Sequence, residues 1–185
     1  MHERPSDAPR RRRAAAAALL VALSVTALGG CAPSETPDPT PAPAPSLTQE
    51  QQDDAAFLNV MTEYVDLDPN TLTDDDLEKL LTGNLLQGEK SGLQDSRKNG
   101  ERSDGLVVMS GFAVTDRGLD PEGLQYMTAQ ACLDSSGTHV RDSAGNEIKP
   151  ARDARLSLQI KAVKTPDASW QISDIVRNES VRACG

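Results

Sequence analysis

Residues near the end of the chain alternate between apolar and polar types. In Arg155–Val163 the apolar residues Leu156, Leu158, Ile160 and Ala162 alternate with the polar residues Arg155, Ser157, Gln159 and Lys161. Successive side chains of a strand point to opposite faces of its sheet. The pattern therefore predicts a strand with one face in the core and the other in water. Thr165–Ser169 predicts a turn that leads into another strand, Trp170–Ser180.

Apolar residues in the first half recur at helical spacing instead. This spacing predicts a helix over Thr48–Val65, with Ser46 and Gln49 as its capping box. Its apolar positions are Phe57, Val60, Met61, Tyr64 and Val65. A second, short helix is predicted within Thr73–Gly83, where three aspartates in the first turn favour the helix dipole. One or two further turns are predicted over Asn84–Lys90, followed by a polar loop over Ser96–Gly105.

These predictions together define a fold class. We predict two more strands, Gly105–Asp116 and Leu124–Asp134, and an exposed turn at Arg141–Ile148. Helices thus come first, and about four strands with hairpin-length connections follow. This order predicts an α+β fold with the helices packed on one face of a curved antiparallel sheet. By length, residues 47–185 form a single domain.

The beginning of the chain is typical of a targeting segment. Four arginines, Arg10–Arg13, precede fifteen uncharged residues, Ala14–Leu28, which is short for a membrane-spanning helix. The run ends Leu28-Gly29-Gly30-Cys31, which resembles the lipobox of bacterial lipoproteins. The resemblance implies that residues 1–30 are a signal peptide and that Cys31 carries a diacylglycerol. The alternative is a short buried helix followed by an unrelated cysteine.

The segment after Cys31 is rich in proline. Residues 31–46 contain six prolines and almost nothing that could pack, so we expect residues 1–46 to be disordered signal and linker. Polyproline-like chain rises about 3.1 Å per residue, so this linker could hold a domain up to roughly 45 Å from the membrane. We therefore expect a domain anchored to the extracytoplasmic face of the cell membrane.

The charge of the chain excludes some partners. All 185 residues give a net charge of −9, and residues 31–185 hold 26 acidic and 14 basic residues. Nucleic-acid binding needs basic surface to replace counterions, so no nucleic-acid partner is expected.

With Cys31 assigned to lipid, Cys132 and Cys184 remain, and in an exported domain they are most simply a disulfide. A metal site is the alternative.

The order of elements, the two strands from Arg155 to Val176 and the placement of Cys132 and Cys184 resemble the NTF2-like (SnoaL-like) cone fold. Such domains occur in small actinobacterial envelope lipoproteins. The resemblance covers about residues 47–184 and implies a pocket between the sheet and the first helix. Proteins with the NTF2-like fold include isomerases, dehydratases, ligand binders and structural assembly modules, so the fold alone does not determine the function.

Motifs for catalysis or metal binding are weak in this sequence. The chain has no P-loop, GxGxxG or GxSxG motif, and no cofactor is expected. His139 is interpreted as a surface residue. The segment Asp66–Leu77 resembles a calcium loop, with oxygen side chains at Asp66, Asp68, Asn70 and Asp74. However, Thr71 and Leu77 replace the required Gly and Glu, which favours a helix-breaking turn.

An enzyme of the SnoaL-like kind would use a carboxylate inside the cone. The candidates are Asp134 and Asp174, assisted by Tyr64 or Tyr126. Asp134 precedes a turn and is interpreted as its cap. Asp174 alternates in phase with Trp170, so we predict Tyr64, Trp170 and Asp174 as a candidate pocket.

Three hypotheses for function remain. The first is a non-catalytic, lipid-anchored binding or interaction module with a partner in the cell envelope. The second is a SnoaL-like pocket enzyme or small-ligand binder. The third is an accessory subunit of an export or conjugation assembly.

Overall fold

The structure is a computed structural model that describes residues 46–149 and 153–185. Three helices come first: α1 (Gln49–Val65), α2 (Asp74–Leu80) and α3 (Gly83–Asn99). Seven strands follow: β1 (Arg102–Asp104), β2 (Val108–Leu119), β3 (Gln125–Asp134), β4 (His139–Arg141), β5 (Glu147–Ile148), β6 (Arg155–Lys164) and β7 (Trp170–Arg177). A 3₁₀ turn, Glu179–Val181, ends the series. The predicted α+β fold is confirmed. The signal peptide, Cys31 and nearly all of the predicted linker lie outside the described residues.

The main sheet contains four antiparallel strands in the order β2-β3-β6-β7. The predicted alternation holds in β6, where Leu156, Leu158, Ile160 and Ala162 are buried. These residues and alternate residues of β3 face the helices. A separate three-stranded sheet, β1-β4-β5, forms around the predicted exposed turn.

Helix α1 supplies the largest side chains to the core. Phe57 and Met61 are completely buried, and the Phe57 ring meets the edge of Phe112 on β2 at a centroid distance of 5.2 Å. The helix begins two residues later than a Ser46–Gln49 capping box would place it. The observed box joins Thr48 and Gln51, whose side chains each accept a hydrogen bond from the other's backbone N–H. The capping pattern was thus correct in kind but wrong by two residues.

Helix α3 is the largest departure from the sequence predictions. Only a turn or two was expected over Asn84–Lys90, but the helix continues through Ser96, which had been assigned to a loop. Gly100 ends it with a left-handed backbone conformation (φ 69°), which glycine adopts without strain. Residues 102–104 form strand β1 rather than loop.

The segment after β7 crosses the outer face of the main sheet. Cys132 and Ser157 are paired across β3 and β6 and alternate with core residues, so they lie on the face away from the helices. There Cys132 is bonded to Cys184, and the Ser157 hydroxyl accepts a hydrogen bond from the Cys184 backbone N–H at 3.2 Å. We call residues 178–185 the C-terminal strap, because they tie two strands together from outside.

Within the described ranges, no helix is both long and apolar enough to cross a lipid bilayer.

Candidate functional site

Two adjoining cavities lie between the helices and the main sheet. Each has a volume of about 430 Å³, and Tyr64, Glu89 and Leu133 line both. These residues come from α1, α3 and β3, so the two cavities lie side by side, and we call them together the helix–sheet groove. Its volume lies in the range of small-molecule binding sites.

Most of the residues that line the groove are apolar, and polar groups lie between them. One half is bounded by the chain after α1 and by α3, and its apolar residues include Leu67, Leu72, Leu77, Leu93 and Val107. The other half lies over β6 and β7, and its apolar residues are Met61, Leu85, Leu156, Leu158 and Ile175. An apolar molecule could therefore displace water from either half.

The rim of the first half is fixed by an asparagine. The Asn70 side chain donates to the Ser103 carbonyl oxygen at 2.6 Å and accepts from the Ser103 backbone N–H at 3.0 Å. This pair of hydrogen bonds joins the α1–α2 connection to β1. The Ser96 hydroxyl donates to the Glu101 carboxylate at 2.9 Å on the opposite rim.

The calcium-loop-like segment forms a turn. Asp68 accepts hydrogen bonds from the backbone N–H and side chain of Asn70, both at 2.9 Å, and these bonds hold the pKa of Asp68 below its ordinary value. Its other oxygen accepts from Thr71. The Asp68 carboxylate oxygens are thus occupied by the turn itself. Among the residues that the structure describes, no group of three or more His, Cys, Asp or Glu side chains could hold a metal ion.

Glu89 is the charged residue at the centre of the groove. It lies on α3 in line with Leu85 and Leu93, four residues away on either side, and is half-buried. Sequence reasoning missed it because α3 itself was not predicted. The spacing Leu85-Glu89-Leu93 was the available signal, since residues four apart share one helix face.

The predicted pocket of Tyr64, Trp170 and Asp174 does not form. Tyr64 lines the groove, but Trp170 lines a separate cavity of about 410 Å³, and Asp174 is exposed on β7. The phase argument for Asp174 fails because the register between β6 and β7 shifts between Ile172 and Asp174. This bulge adds one residue, which turns Asp174 outward and Ile175 toward the core.

Trp170 belongs to a half-buried polar cluster under the N-terminal half of α1. The Asp53 carboxylate accepts from Lys164 Nζ at 3.0 Å and from Trp170 Nε1 at 3.2 Å. Burial raises the pKa of Asp53, but hydrogen bonds from Lys164, Trp170 and Gln49 outweigh burial, so the pKa lies below its ordinary value. The cluster fixes α1 to the end of the β6–β7 hairpin.

Asp53→Asn should lower the free energy of unfolding at pH 7 by about 2 kcal/mol, because hydrogen bonds to a charged group are lost. The folded-state pKa of Asp53 is depressed, so its stabilisation is present above the unfolded pKa and lost as pH falls through the folded one. The difference between wild type and variant in urea unfolding should therefore shrink below pH 3.8. Asp54→Asn is the control. Its ion pair with Arg117 lies at the surface, with both side chains nearly 40% exposed, and should contribute less than about 1 kcal/mol. Equal losses for the two variants would contradict the assigned role of Asp53.

The other residues that the sequence offered as candidates make hydrogen bonds or ion pairs outside the groove. Asp134 accepts from the Ser136 backbone N–H at 2.9 Å, which confirms its role as a turn cap. His139 is exposed and lies 2.8 Å from Glu147 across the small sheet, as expected of a surface residue. Tyr126 donates to Asp116 at 2.9 Å, and this bond raises the pKa of Tyr126.

Comparison with known proteins adds little to this picture. No protein-family model and no curated protein matches the chain. The structure is weakly similar to the intermembrane space region of chloroplast protein ARC6, with a TM-score of 0.46 and 12% sequence identity over 72% of this chain and 98% of that one. It is also weakly similar to a periplasmic fragment of TraM, with a TM-score of 0.43 and 14% identity over 69% and 97% of the two chains. Similarities at this level support no inference about activity or partners.

Proposed function

We propose that this protein is a lipid-anchored, non-catalytic binding module on the extracytoplasmic face of the bacterial cell membrane, and that the helix–sheet groove is its binding site. The proposal rests on the order of the segments along the chain. A lipobox-like Leu28–Cys31 and a proline-rich linker precede a domain with an apolar groove. The linker gives the groove reach from the membrane, and the bridge between Cys132 and Cys184 suits an oxidising compartment.

The residues that the SnoaL-like enzyme hypothesis named do not come together in the groove. That hypothesis placed Asp174 beside Tyr64 as the catalytic carboxylate, but Asp174 is exposed outside the groove. General acid–base catalysis requires its groups within hydrogen-bond reach of one substrate. The apolar walls, by contrast, supply what a binding site needs.

Cys31→Ala tests the anchor. We expect wild-type protein to fractionate with membranes, to be heavier by a diacylglycerol, and to have no alkylatable thiol without reductant. Cys31→Ala should lose both the lipid and the membrane association, while Ser34→Ala should lose neither. Intact mass spectrometry and membrane fractionation measure both properties. If Cys31→Ala changes neither mass nor location, the anchored function is refuted.

A further inference from the structure

Glu89 differs from the other half-buried carboxylates in its lack of a partner. Within residues 46–149 and 153–185, it makes no hydrogen bond or ion pair. All the other half-buried acids there have such a partner: Asp53, Asp54, Asp74, Asp76, Glu101, Asp120, Asp134 and Asp142. A carboxylate withdrawn from water without a partner costs free energy. Glu89 is thus left able to accept a partner from outside the chain.

Two cationic side chains, one beside Glu89 in sequence and one in the lining of the groove, have partners elsewhere. Lys90, the next residue, pairs with Glu78 and lies 3.9 Å from Asp74. Arg177 lines the second half of the groove, but it donates to Asp153 at 2.8 Å and Glu179 at 2.7 Å. Neither side chain neutralises Glu89. The groove therefore presents the negative charge of Glu89 among lining residues that are mostly apolar.

We propose that the helix–sheet groove binds an amphiphilic organic cation, with its ammonium or guanidinium group on Glu89 and its apolar body against the leucines on either side. This inference rests on the proposed function, because it names the ligand class of the same site. Charge complementarity selects the cation, since charge-assisted hydrogen bonds are about twice as strong as neutral ones. The apolar part of the ligand would pack against the apolar lining residues. These are Leu72, Leu93 and Val107 in one half and Leu156 and Leu158 in the other.

The test compares probes that differ only in charge. The protein is the mature chain, residues 31–185, with Cys31→Ala so that no lipid or detergent competes for the probes. Octylammonium, 1-octanol and octanoate are titrated separately, and binding is followed by the NMR shifts of the Leu93 and Leu133 methyl groups. We expect saturable octylammonium binding about tenfold tighter than octanol binding, as for a charge-assisted hydrogen bond, and no octanoate binding.

Two substitutions then test whether the Glu89 carboxylate causes the preference for octylammonium over octanol. Glu89→Gln should bring the octylammonium and octanol affinities to within about twofold of each other, because the amide is neutral and nearly isosteric. Asp95→Asn is the matched control, since it removes the same charge from an exposed position on the same helix. It should leave the preference unchanged.

The outcomes separate the two proposals. Equal binding of octylammonium and octanol, or a cation preference that survives Glu89→Gln, would overturn the cation inference and leave the groove as a binding site. Absence of any methyl shift with both probes would overturn the inference and the groove's role together. The lipid anchor would still be judged by Cys31→Ala alone.

Discussion

Alanine at both Cys132 and Cys184 should lower the free energy of unfolding by about 4 kcal/mol in the chain-entropy account of cross-links. The two cysteines are 52 residues apart in sequence, so the bridge removes much of the freedom of the unfolded chain. It also holds the C-terminal strap over Ser157, which is only 4% exposed. Urea unfolding, followed by circular dichroism, measures the loss.

Reduction supplies the control for this variant. Wild type in dithiothreitol should unfold near the midpoint of the double variant, and dithiothreitol should not change the variant itself. The strap hydrogen bonds, including that from Asn178 to Gln159 at 2.9 Å, remain available in both cases. A loss below about 1 kcal/mol would mean that these contacts already hold the strap without the bridge.

Phe57→Ala should cost about 4 kcal/mol of unfolding free energy, as large-to-small substitutions of buried aromatic residues do. Phe57 is completely buried, and its ring packs edge to face on Phe112 with an interplanar angle of 88°. Alanine would leave a cavity between α1 and the sheet. Thermal and urea unfolding would both report the loss.

Leu58→Ala is the matched control in the same helix turn. Leu58 is 42% exposed, so its truncation should cost about 0.5 kcal/mol or less. If Phe57→Ala does not fold, Phe57→Leu still gives a measurable, smaller loss. Equal losses at positions 57 and 58 would contradict the observed orientation of α1.

The sequence predicted secondary structure well where one face of a helix or strand is buried and the other is exposed to solvent. Helix α1 and strand β6 follow this rule, and both were predicted nearly to their ends. Helix α3 does not. It contains Gly88 and Gly92, each costing about 1 kcal/mol relative to alanine, and only Leu93 is fully buried. Its stability comes from contacts with distant residues, such as the ion pair of Lys90 with Glu78.

The site was harder to predict than the fold for the same reason. The groove needs α3 opposite the sheet, so its central carboxylate could not be identified before that helix was known. Asp174 shows a second limit. A bulge depends on the register between two strands, and alternation within β7 alone cannot reveal it. Tyr64 lines the groove because it lies on α1, a helix that the sequence pattern did predict.

The C-terminal strap is synthesised late, and this affects when the disulfide between Cys132 and Cys184 can form. A chain emerges from the ribosome N-terminus first, so Cys132 appears 52 residues before its partner. During that interval β6 and β7 are still being synthesised, and the Cys132 thiol has no partner; the bridge forms only when an oxidant of an oxidising compartment takes two electrons from the Cys132 and Cys184 thiols. Burial of Cys132 to 1% exposure is therefore a property of the finished domain. The strap must therefore reach the outer face of the sheet before that oxidation can join Cys132 to Cys184.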